Sequence, residues 1–200
     1  MSVMQDMGAR AMALGIPLSV QLDLTYRCNE RCIHCYLDHE DHGEMTTAEI
    51  LGLLDQLAAA GVFFLNVSGG EIFIRPDLFT IIEHARKLQF SVKLKTNGVM
   101  IREAKARRIA ALGVEAVQIS LYSHDAATHD KITKLPGSFK RTVEGARLLR
   151  DAGVKVIFAN VLMQQNADHY KQVQALAAEM GIRYEVDATI TPMMDGDRGI

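Results

Sequence analysis

All three cysteines of this 200-residue chain fall within eight positions, in Cys28-Asn-Glu-Arg-Cys32-Ile-His-Cys35. Three thiolates at i, i+4 and i+7 on one short loop can hold three corners of a soft-metal or iron–sulfur site and leave a fourth corner open. An open corner invites chemistry at the metal. The bland alternative is structural zinc, completed by His34, His39 or His42. Structural zinc usually takes paired ligands from two separated knuckles, however, and the chain has no second cysteine pair. An odd number of cysteines so closely packed is no disulfide framework either, so reduced thiols are expected.

Other residue groups could meet a ligand. Asn66-Val-Ser-Gly69-Gly70-Glu71 puts two glycines at a strand end, where the missing side chains let backbone approach a ligand or simply make a tight turn. Lys95-Thr-Asn97-Gly98 reads as a turn with left-handed geometry at its end. Ser120 and Asn160 each stand among apolar neighbours, either facing a site or hydrogen-bonded within the core. His84 and His169 read as solvated or capping, the Arg102 to Arg108 run as an exposed helix face, and the scattered methionines as core filler.

The elements that must position these groups follow from the hydrophobic pattern. Six β-branched runs read as strands: 18–24, 62–67, 91–96, 116–121, 154–162 and 183–191. Amphipathic helices lie between them; in the first, Ile50, Leu53, Leu54 and Leu57 share one face, and Thr46 with Glu49 makes a capping box. Gly61, Gly113, Gly153 and Gly181 each close a helical pattern and are followed by a β-branched residue. The chain is therefore α/β with parallel strands, either an open partial barrel or a doubly wound sheet, with chemistry at the carboxyl ends of the strands. Ser138 reads as the N-cap of the helix carrying Val143, Ala146 and Leu149.

A formal charge of -2, from 22 basic and 24 acidic residues, gives no broad reason to expect nucleic acid or an anionic membrane as partner. No apolar run approaches the roughly 20 residues that span a bilayer, and the start of the chain is no signal peptide, so a cytoplasmic location is expected.

Cys-x3-Cys-x2-Cys after the first strand resembles the signature of the radical S-adenosylmethionine superfamily, and Gly69-Gly70-Glu71, Asn97-Gly98 and Ser120 follow in matching order. The resemblance implies a partial (β/α)6 barrel over residues 18–192, with 1–17 as an N-terminal extension and 193–200 as the start of a linker to a C-terminal region. It implies a [4Fe–4S] cluster on Cys28, Cys32 and Cys35, whose fourth iron chelates the amino and carboxylate groups of S-adenosylmethionine. Glu71 and the glycine backbone would hold the methionyl ammonium, although Ile72 stands where the family commonly has proline. Ser120 would meet the methionyl carboxylate or the ribose, Asn97 would border the cofactor, and His34 would pack on adenine. Asn160 would point into the barrel mouth.

The stretch His129 to Phe139 is similar to the branch that modifies peptides and often carries a SPASM domain. Many of those members have arginine where Thr133 stands, and Lys134 or Arg141 could replace it. The implied reaction is reductive cleavage of S-adenosylmethionine to a 5′-deoxyadenosyl radical, which takes hydrogen from a ribosomally made peptide. The electron would come from a flavodoxin or ferredoxin. A tetrapyrrole is the alternative substrate, and a zinc-stabilised binding module the non-enzyme alternative.

Overall fold

The computed structural model describes residues 3–187 and 189–192; the expected linker at 193–200 lies outside the described residues. A helix, α1 (Val3–Leu14), occupies the N-terminal extension. Six strands follow: β1 (Ser19–Asp23), β2 (Phe64–Ser68), β3 (Ser91–Thr96), β4 (Ala116–Ser120), β5 (Val156–Val161) and β6 (Arg183–Asp187). All pairings are parallel and the spatial order is the order in the chain. A doubly wound sheet would reverse its order at a switch point; this one never does. All six strands line one cavity, which requires the sheet to curl, and β1 and β6 remain its edges. The result is the open (β/α)6 barrel.

The connecting helices are α2 (Thr47–Ala59), α3 (Leu78–Lys87), α4 (Glu103–Ala111), the consecutive pair α5 (Ala126–Thr133) and α6 (Ser138–Asp151), and α7 (Tyr170–Glu179). They cover one face of the sheet only. On that face Leu65, Val67, Val92, Leu94, Val117, Ile119 and Phe158 are buried against Ile50, Leu54, Ile81, Ile82, Ile109, Leu149 and Val173. Each such side chain contributes about 1.5–3 kcal/mol. Strand neighbours of opposite parity, among them Gln21, Lys95, Gln118 and Glu185, line the cavity instead. Parallel strands are usually apolar on both faces; here the alternation of Val-Lys-Leu-Lys in β3 records a face that holds a ligand space instead of a core.

The Thr46–Glu49 capping box starts α2 as its sequence dictates. The four glycines after helices have φ between 60° and 90°, so a side chain at any of them would be strained. Ser138 does not cap α6. The helix begins at that residue, its N-cap is Gly137, and the Asp130 carboxylate of α5 accepts from the amides of Gly137 and Phe139 and from the Ser138 hydroxyl. A cap eight residues away is invisible to local patterning.

The long connection after β1 is pinned by Arg75, which is only 8% exposed. Its guanidinium donates to Leu24 O at 3.0 Å, to Met45 O at 3.1 Å and to both Asp77 oxygens. Asp77, whose pKa is lowered to about 2 chiefly by that hydrogen bond, also accepts from Thr47 at 2.7 Å. Beside it Glu44 pairs with Arg27 and the Thr25 hydroxyl. Arg75→Ala strands two carbonyls and a carboxylate together, so a loss of about 3–5 kcal/mol is expected as a lowered urea midpoint. Arg108→Ala, which removes an exposed pair with Glu83, should shift it by under about 1 kcal/mol.

Candidate functional site

The cavity has a volume of about 720 Å³ and opens at the carboxyl ends of the strands. Cys28, Cys32 and Cys35 all line it from the loop after β1, half-buried and unpaired. Burial raises all three thiol pKa values, that of Cys28 to about 11. Among the described residues no three His, Cys, Asp or Glu side chains converge as they would round a single ion. Soft thiol donors on one loop around a cavity suit a cluster, whose thiolates sit on different metal atoms.

Loop packing fixes the cysteines. Gly70 N donates to Thr25 O at 2.7 Å and Glu71 N to Arg27 O at 3.0 Å, so the Gly-Gly loop after β2 is zipped to the cysteine loop. A Cβ on Gly70 would fall 2.7 Å from Tyr26 O and closer still to Arg27 O; one on Gly69, where φ is 135°, would meet Thr25 backbone. The glycines are thus required first by the neighbouring loop. Both line the cavity as well.

The Glu71 side chain is fully buried and does not line the cavity. The carboxylate accepts from Thr96 Oγ1 at 2.8 Å, from Asn97 N at 2.9 Å and from Phe73 N at 3.0 Å, joining the β2 loop to the end of β3. Burial raises its pKa while these donors pull it back. Asn97 does line the cavity: its amide donates to Asn29 Oδ1 at 2.8 Å and its Oδ1 accepts from Val99 N, which ties the cysteine loop to β3.

Ser120 and His34 both line the cavity. The His34 ring meets Tyr122 edge-on at 4.8 Å, and burial lowers its pKa to about 4, keeping it neutral. Its Nδ1 has no partner among the described residues. Asn160 faces the other way: Ala159 and Val161 line the cavity, so the alternating side chain points toward the helices, fully buried with neither amide atom bonded among the described residues. Thr133 is buried too, hydrogen-bonded to Ser138 at 2.7 Å, while Lys134 is exposed and Arg141 donates to Pro136 O and Gly137 O; none of the three lines the cavity.

Several cavity residues escaped the sequence reading. Glu30, inside the cysteine window, is 3% exposed, with one carboxylate oxygen unpartnered among the described residues and a pKa raised by burial to about 8. Tyr122 packs beside Cys32 and stacks on His129 at 5.5 Å. Lys95 donates to Gln21 at 2.8 Å and Gln118 to Glu185 at 3.3 Å across the floor. The polar parity of the strands was the signal for these floor residues.

His129 supports Tyr122 by accepting its backbone N–H at Nδ1, and burial lowers its pKa to about 4. Unfolded histidine titrates near 6.5, so between the two values the unfolded chain binds a proton that the folded chain does not, and stability is lost as pH falls below about 6.5. Relative to His129→Asn, the wild type should lose about 2 kcal/mol between pH 7.5 and 5, read from urea midpoints.

Residues 22–177 match the family model of the Radical SAM superfamily, and the chain belongs to that superfamily. The AdoMet-dependent heme synthase of Methanosarcina barkeri is 32% identical over 174 residues, covering 85% of this chain and 50% of that protein. The PqqA peptide cyclase of Gluconobacter oxydans is 33% identical over 168 residues, covering 82% and 47%. The crystal structure of Streptococcus suis SuiB bound to precursor peptide SuiA superposes with a TM-score of 0.78 at 19% identity, over 91% of this chain and 42% of that one, a likeness of fold. The chain spans about half the length of the curated relatives it matches.

Proposed function

We propose that the chain is the catalytic barrel of an enzyme that acts on a ribosomally made peptide through S-adenosylmethionine and a [4Fe–4S] cluster on Cys28, Cys32 and Cys35. The observation that carries this reading is the convergence of three thiols and the Gly69-Gly70 loop on one cavity at the strand ends. A cluster held by Cys28, Cys32 and Cys35 would supply one electron to the sulfonium of S-adenosylmethionine, whose C5′–S bond would break into methionine and a 5′-deoxyadenosyl radical able to take hydrogen from substrate.

The chain's own residues bind, orient and exclude water. With Glu71 engaged by Thr96 and Asn97, the methionyl ammonium is left to the carbonyls of Gly69 and Gly70, which accept no backbone hydrogen bond among the described residues. The Ser120 hydroxyl serves the carboxylate or ribose, and the neutral His34 ring offers an apolar face to adenine. Glu30 Oε1 and His34 Nδ1 are buried polar atoms without partners among the described residues, which a bound ligand would satisfy. Lys95, Gln118 and Glu185 on the floor face the substrate.

A peptide substrate is supported by the peptide cyclase relative, and a tetrapyrrole by the heme synthase relative, which makes the latter the second reading. No described helix is long and apolar enough to cross a membrane, and the reducing cytoplasm suits unpaired thiols. The electron comes from a flavodoxin or ferredoxin. Incubation of the reduced full-length enzyme with S-adenosylmethionine and candidate precursor peptides should give 5′-deoxyadenosine coupled to a peptide mass change. Coupling to a tetrapyrrole instead would overturn the peptide assignment.

A further inference from the structure

An electron donor too large to enter the cavity must deliver its electron through the protein wall. Two hydrogen bonds bracket Cys32: Arg31 N donates to Thr133 O and Ile33 N to Ile132 O, both at 3.0 Å. Thr133 ends α5, and Lys134 next to it is exposed. From Cys32 the route to solvent is thus one peptide unit, one hydrogen bond and one residue. A second route runs alongside, from Tyr122 beside Cys32 to His129 stacked on it, and on to Phe139 at 5.8 Å from the His129 ring. Both routes surface where α5 turns into α6.

That corner is basic. Arg31, Lys131, Lys134 and Lys140 are exposed there and Arg141 half-buried, and none is in an ion pair among the described residues. Arg31 is held against the cysteine loop by donating to Cys28 O and Glu30 O. On the two helices themselves the acids are engaged, Asp130 capping α6, Glu144 pairing with Arg147 and Asp151 with Arg150, and Glu30 beneath them is buried. On α4, by contrast, Arg107 and Arg108 are each matched by a glutamate. In a chain of net charge -2, five unmatched cations gathered over the shortest path to a cluster thiolate form a local field that favours an acidic partner.

We propose that the α5–α6 corner is the docking face for a small acidic one-electron carrier protein of the flavin or iron–sulfur type, which passes its electron toward Cys32. This rests on the cluster assignment above. The carrier is oxidised by one electron, the cluster reduced by one, and no bond or proton is exchanged.

The test uses the anaerobically purified full-length enzyme, with flavodoxin as probe, and the triple variant Lys131→Glu, Lys134→Glu, Lys140→Glu. Calorimetric affinity for oxidised flavodoxin and the stopped-flow rate of cluster bleaching by reduced flavodoxin should both fall about 10-fold or more at low salt, with a shallower salt dependence. Bleaching by dithionite should keep its rate, which separates lost docking from a damaged cluster. Reversal of Lys87 and Lys155, exposed at the opposite end of the barrel, should change neither measurement. Flavodoxin affinity and bleaching rate unchanged in the triple variant, or equally reduced by the distal reversal, would overturn the docking face. A preparation without iron is recognised as colourless before any carrier is added, and overturns the cluster assignment itself.

Discussion

Alanine at Gly70 should weaken cofactor binding severely while leaving the helix side of the sheet intact. The added Cβ would meet the carbonyls of Tyr26 and Arg27, which are backbone atoms of the cysteine loop and cannot rotate away as a side chain would. Relief requires the two loops to part, breaking the Gly70 N to Thr25 O bond and moving the segment that carries Cys28. A cost of about 3 kcal/mol, typical of overpacking, is expected in the urea midpoint. Iron content should fall, and affinity for S-adenosylmethionine should drop about 100-fold or more, since misplacing three contacts worth roughly 1 kcal/mol each is enough. Gly52→Ala on α2, where no atom lies within 4 Å of the added methyl, should instead be neutral or stabilising by up to about 1 kcal/mol.

The Glu71 variants separate two roles for one carboxylate. Removing it in Glu71→Ala leaves the Thr96 hydroxyl and the amides of Asn97 and Phe73 buried without an acceptor, at about 3–5 kcal/mol. The loss should be seen in the protein before any cluster or cofactor is added, because it is a property of the join between β2 and β3. Glu71→Gln should retain part of that stability, through its remaining carbonyl oxygen, and lose cofactor affinity in proportion to the stability lost. A Glu71→Gln protein with wild-type urea midpoint and S-adenosylmethionine affinity reduced more than 100-fold would mean that the carboxylate binds the ammonium directly.

What the sequence made legible was local or repeated. The four helix exits at Gly61, Gly113, Gly153 and Gly181 announced the β/α repeat, and the cysteine spacing announced the site at the end of β1. Side-chain direction was less legible. Residues 154–162 are apolar at both parities, so nothing in the pattern told whether Asn160 or Ala159 faces the cavity, and a shift of one residue reverses every side chain. Glu71 turned inward because Thr96 and Asn97 arrive from β3 to meet it, a tertiary event with no trace in Gly-Gly-Glu itself. Tyr122 stood beside singled-out residues, but its burial depends on Ile132 of α5 and Met163 after β5 packing against it.

The arrangement as a whole reads as a rigid rim around a polar floor. Three joins, backbone to backbone from the Gly-Gly loop to the cysteine loop and from the cysteine loop to α5, and through the Glu71 carboxylate to β3, hold the thiols before any metal arrives. Such preorganisation limits the conformational entropy lost on binding. Substrate contacts fall to the strand residues of the floor.

The central claim is that the three thiols of Cys28, Cys32 and Cys35 hold a [4Fe–4S] cluster with one corner open to S-adenosylmethionine. Iron and sulfide analysis of the anaerobically reconstituted protein, with the paramagnetic resonance spectrum of its reduced form recorded with and without S-adenosylmethionine, tests it most directly. A brown protein with about four irons and four sulfides per chain, and a spectrum that changes when the cofactor is added, is the expected result. A colourless protein carrying stoichiometric zinc, or a cluster spectrum indifferent to S-adenosylmethionine, would contradict it.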